Sequence, residues 1–399
     1  MRKIWTVGAG KGGVGTSFLT ASMGISLARH GYSVVLVDAD FGAPNLHTFF
    51  GVKNPGRYTA DLEVGEIVEQ QARIPASQPG LSLLSCTGDF LGAADLSASE
   101  RDRIGRLIQS LDADYVLVDT GNGTSVGVLD VFNLGDLGIV VVAPDPAAIQ
   151  KAYSFIKWSL YRRIQQKFGS NPWVAAAIER IKQPETASTP SSILEFYDLL
   201  CTTDPEITEQ VAALVDGYHP FIVVNMADSE EEQRIGEIIQ NTCKRFLNVD
   251  IRFCGLILQD QAMRKATHCM ALPEIKVESC VAAHQIHETV LRVMNSAARE
   301  TGAESEILTA IIPIAGLDDR LEYKGKRLRI KTDNMGYTGR CITTRVFCEG
   351  RIILSTKSDY ASTSQDANYA NYIKALMRKQ HFNVICDIEG DKIQISNAT

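Results

Sequence analysis

The chain has 399 residues, 45% of them hydrophobic and 22% charged, the balance of a globular protein and not of a disordered, collagenous or coiled-coil one. At roughly 150 residues per domain, it has room for two or three domains. Lys and Arg total 40 against 47 Asp and Glu, a formal net charge of −7, which argues against a dedicated nucleic-acid binder with its basic footprint.

The first apolar run, Ile4–Val7, reads as a strand. It is too short for a signal-peptide core and flows straight into a glycine loop. Ser17–His30 reads as a helix, with Leu19, Met23 and Leu27 on one stripe and Gly31 where a C-terminal cap is wanted. Further strands are expected at Ser33–Val37, Leu81–Ser85, Tyr115–Val118, Gly138–Ala143, Phe221–Val224 and Ile251–Leu258. Several are apolar throughout, as strands buried on both faces of a parallel sheet are. Strands alternating with helices over nearly 300 residues imply an α/β fold with a doubly wound, mostly parallel sheet, in which ligands sit at the carboxyl ends of the strands.

The pattern changes near residue 298. A polar, acidic connector gives way to runs at Leu321–Lys331, Cys341–Cys348, Ile352–Ser355 and Asn383–Asp387, with turns at Lys324-Gly325, Glu349-Gly350 and Glu389-Gly390 and one helix at about Asn368–Gln380. The expected organisation is a nucleotide-binding domain over 1–297, a linker over 298–312 and a small α+β domain over 313–399. The nine cysteines are odd in number and irregularly spaced, without a C-x-x-C. Together with the absence of a run near the ~20 apolar residues of a membrane span, they point to a cytoplasmic protein with reduced thiols.

Four motifs carry the chemistry. After the first strand comes Gly8-Ala9-Gly10-Lys11-Gly12-Gly13-Val14-Gly15-Thr16-Ser17 and then a helix. Glycines turn successive N–H groups inward and the helix dipole adds partial positive charge, so the loop is an anion cradle. Gly10, Gly15 and Ser17 fit the phosphate-loop pattern G-x-x-x-x-G-K-[ST], but Thr16 stands where the lysine belongs. The second strand closes on Asp38-Ala39-Asp40, two carboxylates suited to Mg²⁺ and to a positioned water. The fourth closes on Asp119-Thr120-Gly121-Asn122-Gly123, four apolar residues and then an acid. Phe221–Val224 ends on Asn225, whose amide offers the donor and acceptor that an adenine edge needs.

Lys11-Gly12-Gly13-Val14-Gly15 resembles the deviant Walker A loop of the MinD/ParA family of P-loop ATPases, and Asp38-Ala39-Asp40-Phe41-Gly42-Ala43-Pro44-Asn45 is similar to the FlhG/FleN group of flagellar-number regulators. The segments Val128–Asp130, Ala143–Pro146 and Phe155–Lys157 share that likeness. The resemblance covers about residues 1–297. It implies ATP/ADP and Mg²⁺ as cofactors, with Gly10, Lys11, Gly12, Gly13, Val14, Gly15, Thr16 and Ser17 around the phosphates, Asn225 at the base, Ser17, Asp38 and Asp119 at the metal, and Asp40 positioning the attacking water. It further implies an ATP-sandwich homodimer in which Lys11 reaches the partner's nucleotide. The implied work is that of a switch governing the placement or number of a cell-surface machine such as flagella or pili. A protein partner would bind the C-terminal domain, and the membrane or cell pole would be reached through a partner, since no basic amphipathic helix closes the chain.

Thr16 departs from the pattern. Losing one charge-assisted phosphate contact costs about 1.5–3 kcal/mol of binding, and phosphoryl transfer depends almost wholly on positioning and charge. Weakened binding and slow or absent hydrolysis follow. The rivals are an active ATPase that tolerates Thr16, a nucleotide-independent scaffold, and a DNA-bound cargo mover that the acidic balance disfavours.

Three other groupings have plainer readings. Cys280, His284 and His287 share a helix side, with Cys269 conceivable as a fourth ligand, but match no established zinc spacing. Cys86 lacks the second cysteine an iron–sulfur bridge would want soon after Asp119. Arg327, Arg329 and Lys331 alternate with Leu328 and Ile330, as the solvated face of a strand does.

Overall fold

The computed structural model describes residues 2–52, 74–75, 78–86, 96–182, 192–201, 204–272, 280–300, 317–334, 341–348 and 351–359, together with 377, 380–381, 383–385 and 387–388. Two compact units divide it, Met1–Val293 and Met294–Thr399.

The strands of the first unit are β1 (Lys3–Ala9), β2 (Val34–Asp38), β3 (Ile74–Pro75), β4 (Leu81–Ser85), β5 (Tyr115–Asn122), β6 (Leu137–Val142), β7 (Phe221–Ala227) and β8 (Arg252–Leu258). They form one sheet in the order β3-β4-β2-β5-β1-β6-β7-β8. Seven run parallel, and the two-residue β3 adds an antiparallel edge to β4. The apolar runs pack as expected: all five residues of β2 are buried, as is every residue of β5 but the last. Burying a Val or Leu side chain is worth about 1.5–3 kcal/mol, so these central strands hold the sheet and aim whatever follows them at one edge.

Ten α-helices lie within the described residues of 2–300: α1 (Thr16–Arg29), α2 (Ala98–Ser110), α3 (Val126–Phe132), α4 (Pro146–Phe168), α5 (Pro172–Lys182), α6 (Ile193–Cys201), α7 (Pro205–Asp216), α8 (Arg234–Leu247), α9 (Gln261–His268) and α10 (Val281–Glu300). Residues 298–300 of the expected linker are helical, and 301–312 lie outside the described residues. Gly31 follows α1 in the left-handed conformation, φ 88°, as its place in the sequence predicts. The three-residue apolar stripe on α1 understates its burial, because every residue from Leu19 to Ala28 is buried. Gly24 is the reason the helix can lie so close: a Cβ there would stand 2.5 Å from Leu36.

The connection from β6 to its neighbour β7 is far longer than a crossover requires. It carries α4 through α7, whereas a dozen or so residues suffice for one helix. Ser97, Ser125, Asp145, Asp204 and Asp260 cap α2, α3, α4, α7 and α9 with their side chains. By contrast, α1 starts from Gly15 with no side-chain cap.

The second unit is a four-stranded antiparallel sheet, β12-β11-β10-β9, from β9 (Leu317–Tyr323), β10 (Lys326–Asn334), β11 (Cys341–Cys348) and β12 (Arg351–Asp359). Lys324 and Gly325 both have positive φ, 49° and 76°, which matches the two-residue hairpin turn between β9 and β10. The strand expected at Asn383–Asp387 is a correction: 383–385 and 387–388 are helical. Val384 and Ile388, four apart, pack on Leu328, Ile330 and Val346 of the sheet, so the apolar spacing there was that of one helical stripe. Of the helix expected over 368–380, only 377 and 380 are described, and both are helical. The turns expected at 349–350 and 389–390 lie outside the described residues.

Candidate functional site

The carboxyl edge of the parallel sheet brings the four motifs together. β1 leads through Gly8–Gly15 into α1. A Cβ on Gly10 would come within 1.9 Å of the Lys151 carbonyl on α4, so the loop lies flat against that helix. Gly13 and Gly15 have φ of 82° and 89°. Around Gly13 a Cβ would meet nothing within 4 Å, whereas at Gly15 it would stand 2.3 Å from Asn225 Nδ2. Only glycine fits position 15, on both backbone and steric grounds.

Asn225 is buried, and its Nδ2 donates to the Val14 carbonyl at 2.8 Å. The structure therefore brings Asn225 to the back of the loop, with its amide N–H engaged by loop backbone. Thr16 is buried, with its carbonyl accepting from Thr20 Oγ1 at 3.0 Å. No acid stands in the first turn of α1, so nothing there opposes an anion at its N-terminus.

Asp38 and Asp119 are register partners on the adjacent strands β2 and β5. Both are buried. Asp38 accepts from the Leu46 N–H at 2.8 Å and the Asp40 N–H at 3.3 Å. Burial, and then the Asp119 charge, nevertheless pushes Asp38 up to about 8. Burial also raises Asp119, to about 6, against the pull of the Ser17 hydroxyl and the Gly121 N–H. That N–H reaches Asp119 Oδ1 at 3.2 Å. Asp119 Oδ2 is buried with no hydrogen-bond partner among the described residues.

Asp40 Oδ1 accepts from the Gly42 and Ala43 N–H groups, each at 3.1 Å. Its carboxyl lies against Gly121, where a Cβ would stand 2.7 Å from Asp40 Cγ. Glycine with φ 73° at 121 thus admits a third acid to the cluster.

Lys11 does not point into the cluster. Its Nζ lies 3.0 and 3.1 Å from the two carboxylate oxygens of Asp145. Both side chains are about two-fifths exposed. Asp145 also caps α4, accepting from the Ala148 N–H at 2.9 Å. That backbone donor, and then Lys11, holds its carboxyl below the ordinary range. Sequence reasoning missed Asp145 as the partner of Lys11. An available signal was Asp145-Pro146 after an apolar strand, the signature of a helix N-cap at the ligand edge.

The remaining groupings resolve locally. Among the described residues, no cluster of potential metal ligands contains Cys280, His287 or Cys269. His287 stacks on His30 at 4.8 Å and meets Ser26 Oγ at 3.2 Å, and Cys280 Sγ accepts from the Ala283 N–H. Arg329 is paired with Asp318 across the hairpin, Nε to Oδ1 at 2.8 Å. No helix among the described residues is long and apolar enough to cross a membrane.

A strand, a glycine loop and an uncapped helix N-terminus, with acids closing β5 beside that strand and β2 beyond it, build the fold of a P-loop NTPase. A family model described as ParA, NUBPL iron-transfer P-loop NTPase, matches residues 1–165. The flagellum site-determining protein YlxH of Helicobacter pylori is 36% identical over 162 residues, covering 39% of this chain and 53% of that protein. The septum site-determining protein MinD of the same organism is 28% identical over 249 residues, 59% of this chain and 89% of that one. The chain spans about half the length of the curated relatives it matches above 30% identity. The cell division ATPase MinD of Pyrococcus furiosus shares the fold, with a TM-score of 0.50 at 15% identity, covering 74% of this chain and all of that one. Over its first 165 residues the chain is similar to the ParA/MinD family of P-loop NTPases.

Proposed function

We propose that the protein is an adenine-nucleotide switch of the MinD/FlhG type. ATP and Mg²⁺ would bind at the edge of the sheet, and two protomers would close over the nucleotides. The observation that carries this reading is the buried Asp119 Oδ2, without a partner, beside Ser17 and Asp38 at the mouth of an uncapped helix. A buried carboxylate oxygen without a partner is costly, and a divalent cation supplies what it lacks. The residues fit Mg²⁺ by chemistry as well, being hard oxygen donors.

Ser17, Asp38 and Asp119 would hold the metal, whose chemistry is to offset phosphate charge. The loop amides of residues 10–17 hold the phosphates. Asp40, kept at the cluster by Gly121, orients water. Asn225 fixes the loop from behind and stands beside the expected base position. Lys11 supplies the cation that position 16 lacks once it leaves Asp145, and a second protomer's nucleotide gives it a stronger anion to meet. Hydrolysis is slow, because Thr16 cannot follow charge onto the leaving phosphate. The likeness to site-determining relatives supports an output in placing or counting a cell-surface machine, through a protein partner on the C-terminal domain.

Calorimetric titration with ATP and Mg²⁺, combined with light scattering, tests this. The expected result is weakened but measurable binding, a dimer with ATP and a monomer with ADP, and loss of the dimer in Lys11→Ala. Failure to bind any adenine nucleotide overturns it. Thr16 supports a second reading, a scaffold indifferent to nucleotide. That reading requires partner binding to be the same with and without Mg-ATP.

A further inference from the structure

Past Asp119 the pairing of β5 with β1 is irregular, and it resumes at Asn122, where the strand ends. Gly121 and Gly123 both have positive φ, and a Cβ on Gly123 would meet nothing within 4 Å. Beyond the strand, the Gly123 N–H donates to the Ala9 carbonyl at 2.8 Å and ties the segment to the strand that feeds the loop. α3 follows immediately, and its far end is locked. Asp130 takes two bonds from Arg162, Nε at 2.6 Å and a terminal nitrogen at 3.0 Å. It takes another from Arg101 Nε at 3.1 Å and one from Gln166 Nε2 at 2.8 Å. These three charged side chains are at most 23% exposed, where screening by salt is weak, and the two-pronged arginine contact fixes direction as well as distance.

The partners on α4 form one stripe. Phe132 meets Phe155 edge-on at 4.8 Å, Asn133 Nδ2 donates to the Ser159 carbonyl at 3.0 Å, and Arg162 and Gln166 hold Asp130. Positions 155, 159, 162 and 166 share a helix face. Away from that stripe, Tyr161 meets Phe196 of α6 at 5.5 Å, and from within it Ser159 Oγ shares a hydrogen bond with Tyr218, just past α7. The first turns of the same helix carry Asp145, which holds Lys11, and the Lys151 carbonyl that lies against Gly10. One rigid helix therefore touches the phosphate loop, the segment after Asp119 and the helices α5–α7.

We propose that Arg101, Asp130 and Arg162 are positioning residues that lock α3 to α4, so that a change in the glycine segment 121–125 is delivered as a movement of α4 to α5–α7. The clamp makes α3 an arm with a hinge at Gly121–Gly123 and a fixed grip at Asp130. The surface of α5 and α6 becomes the readout of nucleotide state. This inference rests on the nucleotide reading above.

Hydrogen exchange on the full chain, with and without Mg-ATP, tests it in the parent, Asp130→Asn, Arg162→Gln and Asp130→Glu. In the parent, Mg-ATP should change exchange both in residues 8–17 and in 172–201. Asp130→Asn and Arg162→Gln should keep the change at 8–17 and lose it at 172–201, and Asp130→Glu, which keeps the charge, should restore part of it. A merely structural role would lower the melting temperature and leave the remote response intact. If Asp130→Asn does not fold, Arg162→Gln decides, since Arg101 and Gln166 still hold Asp130 in it. An unchanged remote response in the folded variants, or no remote response in the parent while 8–17 is protected, overturns the clamp alone. No protection at 8–17 in the parent removes the nucleotide reading and the clamp together.

Discussion

Asp38 and Asp119 sit side by side as register partners on neighbouring parallel strands, both buried, and burial pushes them up to about 8 and about 6. Two acids so placed share less than two full charges near neutral pH, and a dication has to displace what protons remain. Mg²⁺ binding should therefore release protons between about pH 6 and 8, and tighten as pH rises through that window. Titration in buffers of different ionisation enthalpy at pH 7 checks this. A buffer-independent heat would show that the pair is already fully ionised.

The same pair sets a stability slope. A carboxyl raised in the folded state holds its proton longer there than in the unfolded chain, so stability falls as pH climbs from about 4 towards 8. Asp38→Asn removes the larger part of that slope, leaving the share of Asp119, and costs one acceptor for the Leu46 or Asp40 N–H. The net expectation at pH 8 without Mg²⁺ is a gain of about 1–3 kcal/mol, together with loss of the Mg²⁺ response. Denaturant unfolding at pH 5 and pH 8, with and without Mg²⁺, measures both, and equal slopes in parent and variant would refute the assignment.

His287 works in the opposite sense. Burial, then the neighbouring His30, lowers it to about 3. The unfolded chain gains a proton below about pH 6.5 that the folded one refuses, so this group destabilises the protein progressively as pH falls from 6.5. His287→Gln should lose stability at pH 7, where packing against Ser26 and His30 is disturbed, and recover part of that loss by pH 5, by at most about 1.4 kcal/mol per pH unit. Parallel unfolding curves at the two pH values would rule this out.

Lys11 and Asp145 predict a separation of function. Both are substantially exposed, so the ion pair itself adds little to folding. Asp145→Asn keeps a side chain able to cap α4 and releases Lys11. The melting temperature should hardly move, while Mg-ATP-dependent dimerisation sets in at lower ATP concentration. Light scattering across an ATP titration reads this, and a dimerisation curve that does not move removes the latch from the account.

Thr16→Lys restores the missing cation. Binding of Mg-ATP should tighten by about 10–100-fold, in keeping with a charge-assisted contact of 1.5–3 kcal/mol, and steady-state turnover should rise. A variant no faster than the parent would show that hydrolysis is limited elsewhere.

The strand-rich half of the fold was plain in the residues. Runs such as Leu81–Ser85 and Cys341–Cys348 match their strands end to end, because unbroken apolar or β-branched runs permit few alternatives. β5 runs on past Val118 to Asn122, since the strand continues through an irregularity at residues 120–121 and pairs again with Ala9 at Asn122. At Asn383–Asp387 a short apolar run was compatible with either period, and packing of Val384 and Ile388 on the sheet decided for a helix. The phosphate loop and its acids were legible because their chemistry is local in sequence. Lys11 with Asp145, and Arg101 and Arg162 with Asp130, were not, because each pair joins residues 29 to 134 positions apart and no spacing encodes that.

The curve of the loop is set by its own scaffold. Asn225 fills the space behind Gly15, and the α4 backbone fills the space beside Gly10, so the mould stands before any guest arrives. A charge can be deleted from its rim, as at Thr16, without the cast losing its outline.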